Sequence, residues 1–171
     1  MVSRQNVLDR IGAMRDLYAV MATGLVLLQD PMIRQRLRDA RYHQIALPRT
    51  DESKVTILID QAFAAAEADP AAFNLTYLRT LAAMVVTTVA DDLKQLGYTL
   101  ADTDPDEFHV LRHLRNAAAH GNRFNINSKA PAVVFRELTI SPAMNGQPDV
   151  FFTHATPSLV MDLVNAVASH I

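Results

Sequence analysis

The stretch His109-Val110-Leu111-Arg112-His113-Leu114-Arg115-Asn116-Ala117-Ala118-Ala119-His120-Gly121-Asn122 decides how this chain reads. At about 100° per residue, Val110, Leu111, Leu114, Ala117 and Ala118 fall on one helical face, which must pack against other helices. His109, His113, Asn116 and His120 fall on the opposite face, within an arc of roughly 60°. Arg112 and Arg115 flank that polar stripe, and Ala119 is small enough for a ligand or another chain to approach closely. Asp104-Pro105 is a start signal, Asp106 and Glu107 suit the first turn of a helix, and Gly121-Asn122 is a stop.

Working outward, helical periodicity recurs on both sides. Val7, Leu8, Ile11, Met14, Leu17, Tyr18, Met21, Leu25 and Leu28 define a helix over about Arg4 to Gln29. Asp30-Pro31 opens a shorter helix to about Tyr42, carrying Arg34, Arg36, Arg38 and Arg41. Those arginines read as a solvated face in preference to a second basic patch. His43 to Thr50 reads as a loop, and a cap at Thr50 or Asp51 predicts a helix through Val55, Ile57, Leu58, Ile59, Ala62, Phe63 and Ala66. Asp69-Pro70 opens a long helix over about Ala71 to Leu96, apolar nearly all round in its middle turns and therefore central, with Gly97 as its stop. Thr99 to Asp104, including Asp102, reads as a polar loop.

Beyond Asn122 the period changes. Ala132–Ile140 and Val150–His154 read as two strands joined by a turn, Ser141–Asp149, with Asn145-Gly146 at its heart. Thr156-Pro157 then opens a last helix to about His170. The expected fold is mainly all-α: a helical bundle of about five to six helices, with a small β-hairpin before the C-terminal helix, forming a single domain over residues 1–171.

Composition bounds the function. Half of the 171 residues are apolar and 20% are charged, the balance of a soluble globular protein. The absence of Cys excludes disulfides, thiolate catalysis and cysteine-based zinc sites, and fits a cytoplasmic protein. The apolar runs Leu17–Leu28 and Thr80–Ala90 fall short of the ~20 residues of a spanning helix, so no membrane is expected. Asp9 and Asp16 ahead of the first run argue against a secretion signal. The formal net charge is −2, which advertises no polyanion overall. Its distribution says more: from Phe108 to Arg136 there is no acidic side chain, while Arg112, Arg115, Arg123, Lys129 and Arg136 all lie there. An anionic ligand would be drawn to that region.

The chemistry this segment suits is proton transfer beside a phosphate. Histidine moves protons near neutral pH, and Arg gives permanently charged, bidentate contact to phosphate oxygens. Together they suit attack of a ribose 2′-hydroxyl on its own phosphodiester, which needs no metal or cofactor and for which DNA is a poor substrate. Arg115 and His120, five residues apart, point roughly 140° from each other on a regular helix, whereas Asn116 and His120 lie side by side. A second copy across a two-fold axis would complete the set, which predicts a homodimer packed around this helix. A zinc reading of His109 and His113, at the four-residue spacing of metal ligands, lacks a carboxylate or cysteine to complete it. The bland alternative is an exposed helix face whose histidines are merely solvated.

Arg115-Asn116-Ala117-Ala118-Ala119-His120 resembles the R-N-x-x-x-H signature of the HEPN superfamily (higher eukaryotes and prokaryotes nucleotide-binding domain), late in a mainly helical chain as in bacterial members. The resemblance implies a dimeric, metal-independent endoribonuclease of toxin–antitoxin or phage-defence systems. Arg115 and His120 would be catalytic and Asn116 a supporting polar residue. Arg112, His113, Asn122 and Arg123 are the adjoining candidates for substrate binding. The implied partners are RNA, a second copy of the chain and an antitoxin protein. Some toxin branches carry a Tyr two residues after the motif His; this chain has Asn122 there, which argues against control through that residue. The β-hairpin is an elaboration that a minimal helical member would not need. The competing reading is a non-catalytic HEPN-like module that binds nucleotide, RNA or a protein partner through the same face.

Overall fold

The structure, a computed structural model, describes residues 3–40, 44–48, 50, 53–100 and 104–171. Among them are six α-helices and two short antiparallel strand pairs, so the fold is mainly α with small hairpins. In chain order these are α1 (Arg4–Leu27), α2 (Pro31–Asp39), β1 (Gln44–Pro48), β2 (Lys54–Leu58), α3 (Ile59–Ala68), α4 (Pro70–Gln95), α5 (Asp106–Ala119), β3 (Val133–Phe135), β4 (Leu138–Ile140) and α6 (Pro157–Ser169). By its contacts the chain divides into two compact units, one of residues up to Tyr18 together with Leu78–Ile171, the other Ala19–Tyr77.

In the first unit the core is built from Val7 and Ile11 of α1, Val85, Val86, Val89 and Leu93 of α4, Val110, Leu111 and Leu114 of α5, and Leu159, Val160, Leu163 and Val164 of α6. Each set recurs at three- and four-residue spacing, the period that puts apolar residues on one helical stripe. α5 packs against both α6 and β3. Thr156 accepts a hydrogen bond from the Leu159 N–H at 3.3 Å and Pro157 takes the first turn, so α6 starts where its cap signal lies. Asp92 on α4 is buried and meets Arg10 of α1 at 2.7 Å. Burial outweighs the pull of that guanidinium and holds the Asp92 carboxyl above the ordinary carboxylate range. By length and composition alone, the 26-residue α4 is apolar enough to cross a membrane. In this unit its Val85, Val86, Val89, Ala90 and Leu93 are fully shielded by the bundle.

In the second unit the Asp30 carboxylate accepts from the Met32 N–H at 2.7 Å and Pro31 occupies the first turn of α2. The solvated-arginine reading of α2 is corrected here. Arg34 is buried, donates to the Leu28 carbonyl, and meets Glu67 of α3 at 3.2 Å, while Arg38 meets the same carboxylate at 3.0 Å. Hydrogen bonding from Arg38, reinforced by Arg34, holds the Glu67 carboxyl below its usual range. The Arg38 guanidinium also lies 5.5 Å above the Phe63 ring.

Three boundaries differ from the periodicity. Residues Val55–Leu58 are strand, paired antiparallel with β1 in the register Gln44↔Leu58 to Pro48↔Lys54, and α3 begins only at Ile59. Val55, Thr56 and Ile57 are all β-branched, which stiffens χ1 and favours a strand where no packing demands a helix. The hairpin before α6 also closes early: β3 and β4 both lie inside the single strand expected over Ala132–Ile140, with Arg136 at φ +51° in the turn. Val150–His154 is an irregular turn, since Asp149 and Phe152 take positive φ (56° and 78°). Arg41, Tyr42 and His43, Asp51 and Asp102, on which part of the α2 end, the following loop, one helix cap and the acidic loop were read, lie outside the described residues.

Candidate functional site

The site begins with how α5 ends. Its last residue is Ala119, and His120 is the capping residue, with its N–H bonded to the carbonyls of Asn116 and Ala117. Gly121 follows at φ +67°, and the Asn122 N–H reaches back 2.9 Å to the Ala117 carbonyl. This is the left-handed reversal that favours glycine after a helix, and it swings the chain back along α5. Asn122, at φ +61°, fixes the new direction. Its carbonyl accepts from the Val150 N–H at 3.1 Å and its side-chain oxygen from the Phe151 N–H at 2.8 Å. Those two bonds also explain why residues 150 and 151 do not pair as a strand.

The returning segment changes which face of α5 is exposed. His109 and His113, expected to point outward with Asn116 and His120, are each only 4% exposed. The helical wheel assigned one packing partner to α5, but α6 and β3 together cover it, with Phe124 and Ile126 of the returning segment also buried. What remains partly or fully accessible is Arg112, Arg115, Asn116 and His120. Burial, then the charges of Arg112 and His109, depress the His113 pKa from 6.5 to about 4, so this imidazole is neutral at pH 7. Both of its ring nitrogens are buried and have no hydrogen-bond partner.

Two hollows flank the exposed end of α5. The first, about 360 Å³, is walled by Arg112, His113 and Asn116 from the helix and by Asn125, Asn127 and Lys129 from the returning segment. His120 is tied to its rim, with its Nε2 2.8 Å from Nδ2 of Asn125. With the amide donating, Nε2 is the unprotonated nitrogen and the ring proton sits on Nδ1. The second hollow, about 400 Å³, lies between α4 and α5 and is lined by Thr80, Met84, Thr88, Arg115, Ala118 and Ala119. Arg115 meets Asp91 of α4 at 3.4 Å. Thus Asn116 lines one hollow and Arg115 the other, while exposed His120 is tied to the first only through its bond to Asn125.

The remaining candidates separate. Asn122 is engaged in the turn just described. Arg123 is exposed and donates to the Gly146 carbonyl at 2.6 Å, fastening the returning segment to the loop after β4. Asn125 and Asn127 escaped the reading of the sequence, because an amide in a loop carries no periodic signal. The available hint was that the acid-free basic segment continues well past α5. Among the described residues no group of three or more His, Asp or Glu side chains converges as a metal site. In comparisons with protein-family models, curated proteins and solved structures, nothing matches this chain.

Proposed function

We propose that the chain is a metal-independent endoribonuclease of the HEPN kind, acting as a homodimer whose composite site takes Arg115 from one copy and Asn116 and His120 from the other. The observation that carries this reading is that Arg115 lines one hollow beside the helix end, while His120 lines neither and is hydrogen-bonded to Asn125, a wall residue of the other. One copy holds half of an acid–base and charge-stabilising set, and a two-fold partner supplies the complement. The second hollow favours such an approach, since Met84, Ala118 and Ala119 leave an apolar, small-residue surface around the guanidinium.

In the proposed reaction a ribose 2′-oxygen attacks the adjacent phosphorus. The 2′ O–P bond forms and the P–O5′ bond breaks, giving a 2′,3′-cyclic phosphate and a free 5′-hydroxyl. His120 takes the 2′-hydroxyl proton on its Nε2, a step for which Asn125 must release that nitrogen. Water protonates the leaving 5′-oxygen, the proton held by His120 returns to solvent, and Arg115 stabilises the charge that builds on the phosphoryl oxygens. Asn116 orients His120 or the phosphate, and Arg112, His113 and Arg123 adjoin the path of the strand. The setting is toxin–antitoxin or defence biology in the cytoplasm, with an antitoxin protein as a further partner. A non-catalytic binding module is favoured by one observation, the Arg115–Asp91 ion pair, which already engages the guanidinium.

RNA cleavage in EDTA separates the two readings. Wild type is expected to cut and leave 2′,3′-cyclic phosphate ends, with Arg115→Ala and His120→Ala each slower by about 10²–10⁴-fold. Mixing the two variants in equal amounts should restore about a quarter of wild-type activity, because half the dimers are mixed and each holds one intact site. Equal cleavage by wild type and His120→Ala would remove His120 from the mechanism, and no restoration on mixing would refute the composite site.

A further inference from the structure

The hairpin of the second unit is left incomplete by its own chain. β1 and β2 form a sheet of two strands, with no third among the described residues. A two-stranded hairpin in water is marginally stable and needs a third strand or a packed face to hold it. That cover is lacking for β2, since all five of its residues, Lys54 to Leu58, are exposed. The register puts Leu47, Val55 and Ile57 on one face of the hairpin, and these are 47%, 37% and 48% exposed. The unit has little core of its own to offer: among the described residues of Ala19–Tyr77 the buried apolar side chains are Leu25, Phe63, Ala66 and Phe73. Such a core is small for about 60 residues.

The two edges of the hairpin are not alike. β1 ends in Pro48, which has no N–H to give a neighbouring strand and blunts that edge. β2, Lys54-Val55-Thr56-Ile57-Leu58, has no Pro, a single charge and a β-branched run, the composition of a strand that pairs. It is also self-complementary. Set antiparallel to a second copy across a two-fold axis at Thr56, it opposes Thr56 to Thr56, Val55 to Ile57 and Lys54 to Leu58. No like charges meet, and facing β-branched residues are a stabilising cross-strand combination. Beside β2 a hollow of about 510 Å³, lined by Ile57, Leu58, Ala62, Ala65 and Tyr77, gives apolar side chains of the arriving strand a place to pack.

We propose that β2 is a self-association edge: two copies pair β2 to β2, antiparallel and centred on Thr56, to form a four-stranded sheet in the order β1–β2–β2–β1. Both outer edges of that sheet are then β1 with its Pro48, so it closes at four strands and does not grow into a fibre. The contact lies wholly in the second unit and rests on neither the ribonuclease reading nor the pairing around α5.

The chain has no Cys, so one introduced thiol reports on one position. Under mild oxidation Thr56→Cys should form a disulfide-linked dimer about tenfold faster than Lys54→Cys, because two copies of position 54 lie roughly 13 Å apart along the paired strands. Sedimentation of the full chain is the second measurement. Thr56→Glu and Thr56→Lys each set like charges face to face at the axis and should raise the dissociation constant about fivefold or more. An equimolar mixture of the two should associate at least as tightly as wild type. Position 56 is exposed, so both variants should fold, and unchanged circular dichroism checks this. Association indifferent to either charge, a mixture no tighter than the single variants, or equal cross-linking at positions 54 and 56 would overturn the proposal. So would a wild-type chain that stays monomeric at ~100 µM, which would leave the edge to the strand of a different protein.

Discussion

Acidification should weaken this fold in particular through His113. In the folded chain its imidazole stays neutral until about pH 4, because burial and the charges of Arg112 and His109 oppose a proton. In the unfolded chain it takes up that proton near 6.5. A depressed folded pKa means that the stabilisation is complete above 6.5 and is lost as pH falls toward about 4, since the unfolded state binds the extra proton over that interval. At about 1.4 kcal/mol per pH unit, the loss from this one group is about 3 kcal/mol. That is a large part of the total stability of an ordinary domain, 5–15 kcal/mol by rough survey. The assay is urea unfolding followed by circular dichroism at pH 7 and at pH 4, for wild type and His113→Leu. At pH 7 the variant should be as stable as wild type or more so, because leucine removes two buried nitrogens that lack partners. Between the two pH values wild type should lose about 3 kcal/mol more than the variant. Proton NMR gives the direct reading, in which the His113 ring resonances should titrate near 4. Parallel losses in the two proteins, or a His113 titration near 6.5, would refute the burial argument.

Two further perturbations probe the local structure behind the site and the second unit. Gly121→Ala meets no neighbouring atom, so its cost is conformational alone: about 1 kcal/mol for an L-residue at φ +67°, read as a lowered thermal midpoint, with Gly121→Asn costing less. An unchanged midpoint in Gly121→Ala would mean that the turn after α5 is not under this constraint. Arg34→Ala removes the buried donor to both the Leu28 carbonyl and Glu67, and should cost about 2–3 kcal/mol in urea unfolding, against less than about 1 kcal/mol for the exposed Arg36→Ala. Equal losses would show that α2 is held by something other than the Arg34 clamp.

How much of this was legible in the residues depends on the kind of signal each element carries. Helices were readable because an apolar stripe at helical spacing and a Pro after Asp or Thr state the same thing twice, as at Asp30-Pro31 and Thr156-Pro157. Val55–Leu58 failed that reading because a short apolar run satisfies either period, and only its β-branched composition favoured a strand. Val150–His154 failed for the opposite reason: its composition suits a strand, yet the Asn122 carbonyl and carboxamide take the N–H groups a ladder would need. On α5 the apolar face was legible, but the inward turn of His109 and His113 was not. A helical wheel knows one interface, and here a second is created by a segment that arrives only after the helix has ended.

That second interface ties the chemistry of the site to a turn. Arg115, Asn116 and His120 sit within six consecutive residues, so any helix bearing them would display them in much the same way. What distinguishes this chain is the consequence of Gly121 and Asn122 at positive φ. They bring Asn125, Asn127 and Lys129 to the hollow that Arg112, His113 and Asn116 wall, and place the Asn125 amide on His120. In the proposed reaction, an imidazole held by that amide has its basic nitrogen occupied until Asn125 releases it. Release of the Asn125 amide and activation of His120 are in that reaction one event, so Asn125→Ala should change the cleavage rate by a factor that varies with pH. A purely structural role for Asn125 would lower the rate at every pH by the same factor.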